Sequence, residues 1–237
     1  MKIAVLISSG KDSIFALHKA IKEWHEICCI LFIESKNKDS WMFHTPNINI
    51  VEKQAECLEL PFLKKVTEGE KEEELRDLKE LITEAKEIYQ IDGVVSGAIH
   101  SKYQWTRIDK ICGDLNLVSI APLWDYNQED LVREIIENKF EMIIQSIAAE
   151  GLDESWLGKK LDINTLNDLI KINKKIGINI AGEGGEYESL VLDCPLFKKR
   201  IKIIESEKQM ENHYTGRLVI EKIKLINKQS KKQTRNT

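Results

Sequence analysis

This chain has little of several things that usually announce a function. It has no excess of positive charge: 35 Lys and Arg stand against 39 Asp and Glu, a formal net charge of −4, which argues against nucleic-acid binding driven by bulk electrostatics. No apolar run reaches the length of a membrane span, and Met1 leads straight into a strand-like run, so neither a bilayer segment nor a signal peptide is expected. Its five cysteines, Cys28, Cys29, Cys57, Cys112 and Cys194, include no C-x-x-C pair. Reduced, mostly buried thiols in a cytoplasmic protein are the expectation. His18, His25 and His213 are scattered without metal-ligand spacing. No repeat of fixed period is present. The polar, basic stretch 227–237 reads as a disordered tail.

What is present begins at the N-terminus. Ile3 to Ile7 is short, apolar and rich in branched residues, the pattern of a strand buried on both faces. Ser8-Ser9-Gly10-Lys11-Asp12-Ser13 follows, and then Ile14 to Ile21 with apolar residues at helical spacing. A strand, a polar glycine-containing loop and a helix N-terminus place unpaired N–H donors where an anion is favoured. Gly10 permits close backbone approach, and Lys11 adds a charge that is expected to stand at the loop tip, facing phosphate and not the core. The Walker pattern does not fit, because Val5 stands where its first Gly belongs and Asp12 follows the Lys in place of Ser or Thr. A capped turn with a solvated lysine is the plainer alternative.

Further strands are expected at 27–33, 61–66, 92–97 and 117–120, alternating with helices at about 48–58, 70–89, 98–114 and 128–138. This alternation predicts a doubly wound, parallel, five-stranded α/β sheet over residues 1–125. The Ser96-Gly97 strand end meets the following helix at Ser101, a second set of N–H donors that lies near the first if strands one and four are adjacent. Past Trp124 the pattern changes to strand candidates at 140–147, 190–192, 201–204 and 218–221 with a helix at 163–176. That predicts a smaller α+β domain over 126–226. Gly182 to Ser189 holds three glycines and three carboxylates in eight residues. Such a block can hold Mg²⁺, orient an ammonium, act as a base, or be no more than an acidic turn before a strand.

Together these residues resemble the diphthine–ammonia ligases, a branch of the PP-loop (N-type) ATP pyrophosphatases with a Rossmann-like fold. The resemblance covers roughly residues 1–225 and rests on four blocks: 8–13; 39–47, Asp-Ser-Trp-Met-Phe-His-Thr-Pro-Asn; 97–104 with Arg107 and Cys112; and 182–189. Ser9, where the loop usually has Gly, and Trp105, where a basic residue is expected, depart from the pattern. The resemblance implies ATP-dependent amidation of the diphthine carboxylate on translation elongation factor 2 by ammonium. The route is an acyl-adenylate, with release of AMP and pyrophosphate. ATP would lie on Ser8, Ser9, Gly10, Lys11, Asp12, Ser13, Gly97 and Ser101, with Mg²⁺ on Asp12. Substrate would meet His44, Asn47, Tyr103, Gln104, Arg107, Tyr187 and Glu188, and Lys11, Glu183 and Glu186 would be catalytic. Glu183 and Glu186 are expected across a cleft from Lys11, on a loop that its glycines let close. No glutaminase nucleophile follows Met1, so free ammonium is the expected nitrogen source. No membrane partner or direct nucleic-acid readout is expected, and homo-oligomerisation is left open. A PP-loop tRNA-modifying enzyme would want paired cysteines and a basic face. A non-catalytic adenine-nucleotide module would not need the acidic block.

Overall fold

In the computed structural model of the chain, which describes residues 1–36, 49–69 and 71–228, the strand and helix order follows the alternation above. The first half runs β1 (Lys2–Leu6), α1 (Lys11–Lys22), β2 (Glu26–Ser35), α2 (Asn49–Leu58), β3 (Phe62–Thr67), α3 (Lys71–Tyr89), β4 (Gly93–Val95), α4 (Lys102–Asp114) and β5 (Val118–Ile120). All pairings are parallel, and the strand order is β3-β2-β1-β4-β5. β1 and β4 are therefore neighbours, and the strand order reverses between them, the place where open α/β sheets bind ligands.

The strands are apolar throughout because both faces are covered, and alternation sends adjacent residues into two different cores. Ile3, Val5, Ile30 and Phe32 point into one; Ala4, Leu31 and Ile33 point into the other, with Leu78, Leu81 and Ile82 of α3 and Ile108 and Ile111 of α4. Helix α4 begins later than the sequence pattern implies. Ser101 caps it, its hydroxyl accepting from the Gln104 N–H at 3.4 Å, so residues 96–101 form a loop instead of a first turn.

The second half holds α5 (Gln128–Glu137), β6 (Glu141–Ala148), a short 3-10 turn (Glu154–Trp156), α6 (Ile163–Ile176), β7 (Tyr187–Asp193), β8 (Lys199–Met210) and β9 (Thr215–Asn227). Its sheet is antiparallel, in the order β7-β6-β9-β8. β8 and β9 are much longer than their apolar centres. They form a hairpin in which β8 is exposed on both faces from Ile204 to Gln209, where hydrophobic pattern carries no signal. Asn227 ends β9 and Lys228 bonds to the Cys194 carbonyl at 2.6 Å, so order reaches two residues into the stretch expected as a tail. Residues 229–237 lie outside the described residues. The first core runs on without a break across residue 125: Phe15 and Leu17 of α1 share it with Leu131 of α5, Ile144 of β6 and Leu190 and Val191 of β7. All five cysteines are free thiols, Cys28 half-buried and the rest buried. Among the described residues no helix is long and apolar enough to cross a membrane.

Candidate active site

The loop after β1 does not stand free. It is docked against the edge strand of the second sheet. The Val191 N–H donates to the Ser9 carbonyl at 3.1 Å, and the Lys11 N–H donates to Ser189 Oγ at 3.0 Å. Gln54, fully buried on α2, closes the same seam: its amide nitrogen donates to Ser9 O at 3.0 Å and to Val191 O at 2.8 Å. Ser9 holds a left-handed backbone, φ 73°, which explains why glycine is the usual residue there. Ser13 turns inward, its hydroxyl donating to Gly10 O at 3.2 Å and accepting from the Ser8 N–H at 3.1 Å, so it shapes the loop. Gly97 lies where the end of β4 presses on α1: a Cβ there would come within 2.7 Å of Ser13 N and 2.9 Å of the Asp12 carbonyl carbon.

Lys11 is the clearest departure from expectation. Its side chain is 3% exposed, buried where the motif predicts a loop-tip lysine facing solvent. Nζ donates to Ala181 O at 2.5 Å and to Asp12 Oδ2 at 2.9 Å, and stands 5.4 Å from the centre of the Tyr187 ring. Burial pulls its pKa down, but the Asp12 carboxylate and then the Tyr187 hydroxyl outweigh that, so it ends above the ordinary lysine value. Asp12 Oδ1 is buried with no hydrogen-bond partner among the described residues.

The acidic block does meet this loop, and its two expected catalytic glutamates part company. Glu183 is half-buried. Its Oε2 accepts from the His100 N–H at 3.0 Å. Desolvation, and then the charge of Asp12, raise its pKa above the usual carboxylate range, while Lys11 opposes the rise. Glu186 is spent on the turn: Oε1 accepts from the Asn179 N–H and Oε2 from the Gly184 N–H, both at 2.8 Å. Gly182, φ 75°, is needed for a tight fit, since a Cβ there would lie 2.6 Å from Tyr187 O. Gly182 thus answers to close packing, whereas Gly185, φ 83°, has open space where a Cβ would stand.

The remaining candidate residues divide between the buried cluster and the surface of α4. Tyr187 is 2% exposed, its hydroxyl donating to Ile180 O at 2.8 Å and its ring lying beneath Lys11, so it presents a face to Lys11 and no edge to solvent. Burial pushes its phenol up to about 12. Glu188, next along β7, faces away from Tyr187 and Ser189 by strand alternation. On α4, Arg107 stacks on the Tyr103 ring, 3.4 Å from its centre, and donates to Tyr103 O at 3.0 Å. Gln104 is half-buried on the same helix and engages the Ser101 cap through its backbone. Trp105 packs on Trp124 at 5.2 Å between ring centres, an aromatic contact in place of the expected charge. His44 and Asn47 lie outside the described residues. A cleft of about 510 Å³ is lined by His100, Asp125, Tyr126, Gln128, Asn173 and Ile180, and Glu183 is joined to its rim through the His100 N–H. Sequence reasoning missed Gln54 and His100. Gln54 belongs to no motif, and His100 lies within the 97–104 block without a role being assigned to it.

Comparison with known proteins gives the family. Residues 1–119 match the family model of the diphthamide synthase N-terminal domain, and residues 127–226 match that of the C-terminal domain. Several curated proteins named diphthine–ammonia ligase are similar over most of their length. The one from Rattus norvegicus is 40% identical, over 87% of this chain and 84% of its own. Those from Mus musculus, 39% over 90% and 86%, and Homo sapiens, 38% over 87% and 84%, are alike in this. A solved structure described as a predicted subunit of tRNA methyltransferase from Methanocaldococcus jannaschii covers 82% of this chain and 98% of its own at 16% identity and a TM-score of 0.43, too distant to bear on function. Two matched domain models in tandem and curated relatives at this identity place the chain in the diphthine–ammonia ligase family of enzymes.

Proposed function

We propose that this chain catalyses the ATP-dependent amidation of the diphthine carboxylate on translation elongation factor 2, with ammonium as nitrogen donor, the last step of diphthamide synthesis. The observation that carries the reading is the meeting of Lys11 and Asp12 from the first half of the chain with Ala181 and Glu183 from the second. Residues 1–125 would bind ATP and residues 126–226 would complete the site. The phosphates would lie against the first-turn N–H groups of α1, held open by the Ser9 and Ser13 contacts. The diphthine carboxylate attacks the α-phosphorus, and the bond to the β-phosphate breaks, releasing pyrophosphate. Lys11 and the loop N–H groups would stabilise the charge that builds there. Ammonium then loses a proton to a base, nitrogen bonds to the acyl carbon and gives up a second proton to solvent, and the C–O bond to AMP breaks. Glu183 suits the base: its raised pKa makes it a better proton acceptor than an ordinary glutamate, and it is only half-buried. Glu186 is the poorer choice, because both of its oxygens already accept backbone N–H groups.

Mg²⁺ fits the donor set: Asp12 Oδ1 is a buried carboxylate oxygen without a partner among the described residues. Asp12 would hold the ion together with the phosphates, and the ion would supply positive charge to them. The test is the product pair. With ATP, ammonium and diphthine-bearing elongation factor 2, the expected products are AMP and pyrophosphate in equal amounts with the amidated protein; ADP and phosphate as the main products would overturn the reading.

A further inference from the structure

The surroundings of Lys11 Nζ read as a site for a free cation as much as for a lysine. Three things meet there: the Ala181 carbonyl at 2.5 Å, the Asp12 carboxylate at 2.9 Å and the face of the Tyr187 ring at 5.4 Å. A carbonyl, a carboxylate and an aromatic face are the groups that recognise an ammonium ion and, of the three, the ring face discriminates most against water. The cage is built and held independently of its occupant. The Tyr187 hydroxyl is tied to Ile180 O at 2.8 Å, which fixes the ring face. The Ala181 N–H donates to Asn179 Oδ1 at 2.9 Å and the Gly182 N–H to Asn179 O at 3.1 Å, which fix the peptide whose carbonyl faces inward. Glu186 holds the base of the same turn through the Asn179 N–H. The occupant, by contrast, is the tip of a flexible four-carbon stem.

Lys11 also belongs to the loop whose open N–H groups favour an anion, so a polyphosphate on that loop offers its ammonium a second partner. We propose that the hole filled by Lys11 Nζ is the binding site of the substrate ammonium, vacated when ATP draws Lys11 onto its phosphates. The lysine head group stands in for the substrate until ATP arrives, and ATP therefore binds first. The identification of the ion as a substrate rests on the function proposed above; the cation cage itself does not. Ala181, whose carbonyl lines the cage, is two residues from Glu183, so an ion held there lies on the same turn as the base.

The test reads binding and not turnover. Thermal unfolding midpoints are measured for the wild type, Lys11→Ala and Lys11→Met in ammonium chloride, sodium chloride and tetramethylammonium chloride at equal ionic strength. Lys11→Ala leaves the cage empty, and ammonium is expected to raise its midpoint by a few degrees, saturably and beyond the effect of the other two salts. Lys11→Met fills the space with an apolar stem and is expected to respond equally to all three. The wild type is expected to show the ammonium-specific rise only with Mg²⁺ and a non-hydrolysable ATP analogue. Equal responses of Lys11→Ala to the three salts would overturn the proposal. Should Lys11→Ala fail to fold in every salt, the wild-type arm decides, and no ammonium-specific rise with the analogue overturns it. Either failure leaves AMP and pyrophosphate formation untouched, whereas ADP formation would remove the substrate role and leave the cage standing.

Discussion

Ser9 shows how much one residue's backbone decides. A non-glycine residue at φ 73° carries a strain of about 1 kcal/mol, and its hydroxyl is buried without a partner among the described residues. Ser9→Gly is therefore expected to stabilise the protein by about 1 kcal/mol, a rise of roughly 2–4 °C in the unfolding midpoint by calorimetry. Glu183 gives a pH-dependent case. Its folded pKa is raised, chiefly by desolvation and then by Asp12, so the protonated form is favoured on folding. The carboxylate thus costs stability above its folded pKa, and that cost disappears as pH falls through it. Glu183→Gln, which keeps an acceptor for the His100 N–H, is expected to be more stable than wild type near pH 7 by less than about 1 kcal/mol. The gap should close below the ordinary glutamate range, and midpoints measured from pH 4 to 8 check it. The same variant should lose amide formation while still exchanging pyrophosphate into ATP. Lys11 is legible in sequence as a functional lysine, but its burial is not. Solvent-facing lysines are the rule for loops, and the enclosing atoms, Ala181 and Tyr187, lie far along the chain.

Among elements, the decisive contacts are made by pieces with no chemical motif of their own. Helix α2 contributes Gln54, whose amide bridges the phosphate loop and β7. Gln54→Leu keeps the volume and removes both donors, leaving Val191 O buried and unpaired. The expected cost is about 1–3 kcal/mol in denaturant unfolding, with about a tenfold rise in KM for ATP as Ser9 loses one of its two anchors. A normal KM in that variant would show that the Val191 N–H alone shapes the loop. The end of β4 leads into Gly97, which in sequence reads as part of the second anion-binding loop. Its close approach to α1 gives it a packing role as well. Gly97→Ala must displace the Asp12–Ser13 backbone, and about 1–3 kcal/mol of overpacking is expected together with weaker ATP binding. Strand and helix positions are legible because their periods are local. The start of α4 is not, because Ser101 is a cap, and a serine at that position suits a cap and an anion-binding loop equally well.

At the scale of the molecule, the two halves are one folded body. The core that holds Phe15 and Leu17 also holds Ile144 and Val191, and the phosphate loop is pinned to β7 by Ser189 and Val191. A fragment of residues 1–125 would leave that face of the parallel sheet bare and the loop without its anchors. It is expected to be aggregation-prone and to show no saturable ATP binding by calorimetry, while the whole chain unfolds in a single cooperative transition. Two separate transitions, or ATP binding by the fragment at the affinity of the whole chain, would contradict this.

What the sequence by itself determined is what local rules govern. Runs of apolar residues between turns specify five strands and their covering helices, and four blocks of residues specify the family. Tertiary structure alone decided the partners. That Glu186 spends both oxygens on its own turn while Glu183 reaches the His100 N–H, and that Tyr187 offers its ring to Lys11, depend on which distant segments meet. The physical reason is that period and turn chemistry act within a few residues, whereas burial, desolvation and the pairing of buried polar atoms are set by whatever distant segment packs against them.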